Sequence, residues 1–240
     1  PSSLQASYRY GKAFGAGTDE ILLFTDPAVH SVTTELGRLN VETYDVICPH
    51  LTNFLPASEE EQTYLRDRVS YGQQLWFYNC QGPTRQFDPS HYRYQPWYCF
   101  VHGATGSAFW SFSDAGAATS WNEYTAIGYT SYTPLYIGEE TVDRSKHWEA
   151  AIEGVQDYEY LRLLAGLVTR LEQTEKGSAR HRRAANLLAN TPTMVLKRLK
   201  EHQETSGDTR MHRSESAFAE QARRQILRLL AEEYPSTLAP

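Results

Sequence analysis

The run Leu75-Trp76-Phe77-Tyr78-Asn79-Cys80 and its counterpart Gly106-Ser107-Ala108-Phe109-Trp110-Ser111-Phe112-Ser113-Asp114 restrict this chain more than any other feature. Each is apolar along its length and closes on small, polar or acidic residues. That is the pattern of parallel strands covered on both faces, with a site at their carboxyl ends. Two earlier runs have the same form: Glu20–Thr25 stops at Asp26-Pro27, and Tyr44–Cys48 stops at Pro49-His50. Proline ends each one because it cannot donate to a strand ladder. Between these runs, Val29–Asn40 has room for a short helix. Glu59–Ser70 predicts a better one, with Ser58 as N-cap and acidic residues in the first turn. The spacings fit successive βα units.

Beyond Asp114 the texture changes. Residues 115–140, rich in Gly, Ser, Thr and Tyr, read as a long loop or irregular hairpin over the end of the last strand. Residues 144–175 predict a long amphipathic helix with Trp148, Ile152, Val155, Leu161, Leu164 and Val168 inward, and Gly177 as its stop. Two further helices are predicted over 179–203 and 216–233, the last with Phe218, Ala222, Ile226 and Leu229 on one stripe. An eight-stranded barrel closes only with eight strands at fixed tilt and shear. Four βα units therefore predict an α/β chain that forms the carboxyl-terminal part of a (β/α)8 TIM-type barrel over residues 1–175, followed by a basic helical tail over 176–240.

Length and composition are those of an ordinary soluble globular protein, and the charge argues against a general nucleic-acid binder. The net charge is −6 over 240 residues. Residues 1–175 carry 11 basic and 22 acidic side chains and residues 176–240 carry 12 and 7, so a +5 tail is expected to dock on a −11 body, the alternative being a tail that touches phosphate. No apolar run reaches the ~20 residues of a membrane span. Cys48, Cys80 and Cys99 have no CxxC spacing, and the eight histidines include no HExxH pair, so neither a metal nor a cofactor is expected. The Gly103–Ser107 run opens a strand instead of a helix and is no phosphate cradle.

The succession Leu75–Pro83, Gly106–Phe112 and Arg144–Leu161 resembles the carboxyl-terminal part of the catalytic domain of glycoside hydrolase family 123 and its relatives called domain of unknown function 4091. The most specific piece is Glu149-X-X-X-Glu153-Gly154-X-X-Asp157-Tyr158-Glu159-Tyr160-Leu161. The resemblance implies a retaining exo-glycosidase of 2-acetamido sugars, typically N-acetylgalactosaminides. In it the substrate's own acetamido oxygen attacks the anomeric carbon, one carboxylate stabilises the oxazolinium and a neighbouring glutamate acts as general acid. The family holds that pair as an adjacent Asp-Glu at a strand end.

Asp19-Glu20 is the chain's only adjacent Asp-Glu, and it stands at the start of a strand. The catalytic role is therefore not assigned to it, and the catalytic pair is expected outside these 240 residues, in an amino-terminal half of the barrel. Carbohydrate contacts are expected from Trp76, Tyr78, Trp110, Asp114, Trp121 and Asn122, against a bland reading in which the rings pack on outer helices and Asp114 caps a loop. Asp26 ends a strand and can be an acid, a sugar ligand or an ordinary turn residue, and His50 can bind a sugar hydroxyl or decorate a loop, while Asp157 and Glu159 are expected to hold arginine and backbone groups. The alternative to a glycosidase is a non-catalytic carbohydrate-binding or scaffold subunit that pairs with a second chain supplying the missing strands.

Overall fold

The structure, a computed structural model, describes residues 2–17, 20–80, 82, 84, 88–112, 121, 132–206 and 216–233. The chain divides into two compact units. One comprises residues 1–81 and 102–111, and the other residues 82–101 and 112–240.

The first unit opens with helix α1 (Ser3–Gly15), fixed by a capping box in which Ser2 Oγ accepts from the Gln5 amide and Gln5 Oε1 accepts from the Ser2 amide. Strand β1 (Phe24–Thr25) and a 3-10 turn (Val29–Thr33) lead to helix α2 (Glu35–Val41). Strand β2 (Val46–Ile47), helix α3 (Leu51–Phe54) and helix α4 (Glu59–Asp67) follow. Ser58 caps α4 as predicted, again in a reciprocal box, here with Glu61. Strand β3 (Gln74–Asn79) and strand β4 (Gly106–Phe109) complete a four-stranded parallel sheet in the order β1-β2-β3-β4.

The α/β class and the parallel order agree with the prediction from sequence, but the strands are shorter. β1 spans two residues instead of the run from Glu20, because the Leu23 amide is taken by the Asp45 carboxylate at 2.7 Å and not by a ladder bond. Ile21 and Leu22 remain exposed. β4 ends at Phe109, so Trp110 and Phe112 lie past the strand and the expected alternation does not extend to them.

Leu75 and Phe77 of β3 are fully buried on one face of the sheet, where Phe77 meets Phe54 at 4.7 Å and His102 at 6.1 Å between ring centroids. Trp76 and Tyr78 alternate onto the other, half-buried face.

The second unit holds helix α5 (Ser90–His102, all but its last residue), a hairpin of β5 (Leu135–Ile137) and β6 (Val142–Arg144), and three long helices. These are α6 (Lys146–Thr174), α7 (Ala179–Ser206) and α8 (Ser216–Glu233). Ser145 caps α6 by accepting from the His147 and Trp148 amides, and Gly177 follows α6 with φ +78°. Tyr94, Trp97, Leu161, Leu164, Leu167, Leu199, Ile226 and Leu230 form its core.

The inward face of α6 follows the prediction in its second half, where Leu161 and Leu164 are fully buried, and differs from it in the first: Val155 is 54% exposed, and the buried positions there are His147, Gly154 and Asp157. Those residues receive α5. A Cβ on Gly154 would stand 2.7 Å from the Arg93 carbonyl oxygen. Asp157, fully buried, accepts from Arg93 Nε at 2.8 Å and Trp97 Nε1 at 3.1 Å, and Glu153 pairs with the same guanidinium at 2.7 Å. The Glu-Gly-X-X-Asp motif is thus a docking surface for one arginine, as the structural reading of Asp157 expected. Glu159 is exposed.

Candidate functional site

The parallel register of the first unit carries the carboxyl ends of neighbouring strands to one edge. Thr25 pairs with Ile47 and Ile47 with Leu75, and the ladder continues past the strands with Cys48 N bonded to Thr25 O, Tyr78 N to Pro49 O and Trp110 N to Asn79 O. Asp26 therefore follows β1, His50 follows β2, Tyr78 occupies the end of β3 and Trp110 follows β4, side by side.

Tyr78 and Asp26 are neighbours, and the Asp26 carboxylate favours the protonated form of the phenol. Burial and that carboxylate together push the Tyr78 hydroxyl well above its ordinary pKa, so it remains a proton donor at any physiological pH.

The His50 ring stands edge-on to Tyr78 at 4.7 Å between centroids. Its Nε2 accepts from the Cys80 amide at 3.2 Å, which places the ring proton on Nδ1 for donation to Thr52 Oγ1 at 2.7 Å. Burial lowers the His50 pKa, against a smaller opposing pull from Asp26, in keeping with this neutral tautomer. The cluster consists of a carboxylate, a phenol donor and a neutral imidazole held in place by backbone.

Trp76 adds a flat wall on the Tyr78 face. Its indole N–H donates to Gln74 Oε1 at 3.1 Å, and the ring meets the half-exposed Phe24 edge-on at 6.3 Å. Trp110 is 54% exposed past β4. Of the residues expected to contact sugar, Trp76, Tyr78 and Trp110 therefore share the first unit.

Trp121 belongs to the second unit, stacked on Tyr136 at 4.5 Å with its N–H donated to the Ile137 carbonyl. Asp114 and Asn122 lie outside the described residues. Asp26 and His50, weighed from sequence between sugar ligands and ordinary turn residues, are the two groups that the register brings to this edge. The signal for them was their shared position one to three residues beyond a short apolar run. Glu20 is exposed and precedes β1 by four positions, away from this edge, and Asp19 lies outside the described residues.

No family model matches the sequence, and no curated protein matches it either. In structure, the chain is similar to a family 123 glycoside hydrolase from Clostridium perfringens studied for glycolipid glycan hydrolysis, with a TM-score of 0.53 and 16% identity over 83% of this chain. The likeness covers 34% of that enzyme, so the chain spans about a third of its length. At this identity the two share a fold.

Proposed function

We propose that this chain is glycosidase-like: residues 1–175 form part of a (β/α)8-type sugar pocket with residues 176–240 as its helical tail, and the pocket receives 2-acetamido sugars of the N-acetylgalactosaminide type. The observation that carries the reading is the convergence of Asp26, His50 and Tyr78 at the carboxyl ends of three neighbouring parallel strands, beside Trp76 and Trp110. Ligands of parallel α/β folds bind at that end. An ionised carboxylate offers about four lone-pair sites. A sugar hydroxyl or acetamido N–H takes one of them on Asp26, beside the Tyr78 phenol. Trp76 and Trp110 supply apolar surface for a pyranose face. The likeness to a family 123 enzyme supports the same reading.

In this reading the substrate-assisted step requires a general acid that the described residues at the strand ends do not provide. Pro27, not glutamate, follows Asp26, and among the described residues no second carboxylate stands at the ends of β1 to β4. The catalytic pair is then supplied outside these 240 residues, either by further chain or by a second polypeptide pairing with the sheet.

The same absence favours a second reading, a non-catalytic carbohydrate-binding subunit. A coloured N-acetylgalactosaminide assay together with calorimetric titration of N-acetylgalactosamine tests both. The expected result for the isolated chain is binding without turnover, lost in Asp26→Asn. Turnover abolished by Glu20→Gln would place the acid within this chain, and no binding at millimolar sugar would remove the carbohydrate reading.

A further inference from the structure

The first unit contains a second concavity, separate from the indole wall of Trp76. It is a cleft of about 370 Å³ between α1 and the segment that follows β1, within the size range of small-molecule sites. Two of its lining residues contain buried polar atoms with nothing to bind. Asn40 is 2% exposed, yet its Oδ1 meets no donor among the described residues, and Ser31 Oγ is buried and unpartnered in the same way. Buried polar side chains are ordinarily hydrogen-bonded, so two orphan atoms on residues that line one cleft point to a ligand that supplies the missing groups as the lining adjusts around it.

The surroundings hold these atoms in place. A Cβ on Gly37 would fall 1.8 Å from the Ser31 carbonyl oxygen, so the first turn of α2 lies directly against Ser31, whose carbonyl also accepts from Thr34 Oγ1 at 2.8 Å. The roof is held too: Ser7 Oγ bonds the Tyr44 hydroxyl at 2.9 Å, and a Cβ on Gly11 would meet Thr43 at 2.8 Å.

The lining identifies the class of ligand. It has one carboxylate, Asp26, one exposed histidine, His30, and neither lysine nor arginine, which disfavours an anion. Leu4, Pro27 and Ala28 add a small apolar wall suited to the C–H face of a ring. We propose that this cleft binds a single neutral sugar ring, whose hydroxyls donate to Asn40 Oδ1 and the Asp26 carboxylate and pair with Ser31 Oγ. The proposal shares Asp26 with the strand-end cluster and does not depend on any chemistry there.

The test is a titration of the ¹⁵N-labelled 240-residue chain with galactose, N-acetylgalactosamine and myo-inositol, and with ethylammonium as a cation probe. The expected result is saturable shifts of the Leu4, Ser31 and Asn40 amides with at least one sugar and none with ethylammonium. Asn40→Ala should bind at least tenfold more weakly while melting no lower than the parent, since it removes a buried, unpaired carbonyl oxygen. If Asn40→Ala does not fold, Ser31→Ala takes its place, with at least a threefold loss expected. Unchanged affinity in the folded variant, response to ethylammonium alone, or no saturable shift at all overturns the proposal.

The indole N–H signals of Trp76 and Trp110 in the same spectra report on the strand ends. Sugar that moves those signals and leaves Ser31 and Asn40 unmoved defeats the cleft and spares the strand-end reading. The reverse result spares the cleft and defeats the strand-end reading.

Discussion

The indole of Trp76 lies across Gly106, its partner in the parallel register of β3 and β4: a Cβ on Gly106 would come within 2.3 Å of the ring. The glycine sets the height of the wall beside Tyr78. Gly106→Ala should force the indole off the sheet and destabilise the chain by about 1–3 kcal/mol, the usual cost of overpacking. Denaturant unfolding measures this, and a change below 0.5 kcal/mol would show that the ring relaxes freely.

Arg93 and Asp157 make the tightest demand on the second unit. Burial pushes the Asp157 carboxyl up, while the Arg93 guanidinium and the Trp97 N–H oppose it. Asp157→Ala leaves Arg93, 4% exposed, without its most buried counter-charge and should cost about 3–5 kcal/mol, the range for breaking a buried pair. A shift in urea midpoint corresponding to less than 1 kcal/mol would mean that Glu153 and Glu220 suffice to hold the arginine.

Stability should fall on acidification. Burial lowers His91 from 6.5 to about 4, with its Nδ1 bonded to the Asp88 carbonyl at 2.8 Å. Burial and then Arg66 lower His102. Both groups take up protons more readily in the unfolded chain. Their contribution is therefore complete above pH 6.5 and is lost as the pH falls from there toward about 4. Unfolding midpoints across that window should slope downward toward acid, and His91→Phe should make the slope shallower.

The α4 capping box predicts a smaller effect. Ser58→Ala removes the acceptor for the Glu61 amide and should cost about 1 kcal/mol. The measurement is the change in denaturation midpoint relative to the parent. Ser58→Gly should cost only a few tenths.

The punctuation of the chain was legible because single residues decide it. Pro27 and Pro49 end the first two strands, Ser58 opens α4, Gly177 follows α6, and the Ala222–Ile226–Leu229 stripe of α8 is buried as periodicity predicts. The inner face of α6 was not legible, because its first half buries a glycine and an aspartate that a hydropathy reading assigns to the surface. Their partner Arg93 is 64 residues from Asp157 in sequence. The same limit applied to the site. Asp26-Pro27 reads locally as a turn, and nothing in the sequence indicates that Tyr78, 52 positions later, stands within the influence of that carboxylate until the register of three strands is known.

The chain passes between its two units at residues 81–82, 101–102 and 111–112, so a single helix contributes its last residue to one unit and the rest to the other. Neither unit is a contiguous stretch of polypeptide. A gene fragment stopping after β3 would lack the strand on which the Trp76 ring rests, and one starting at β4 would lack the arginine that α6 is shaped to receive. Truncation libraries should therefore yield soluble protein only from clones that span both, and limited proteolysis should not release either unit as one intact peptide.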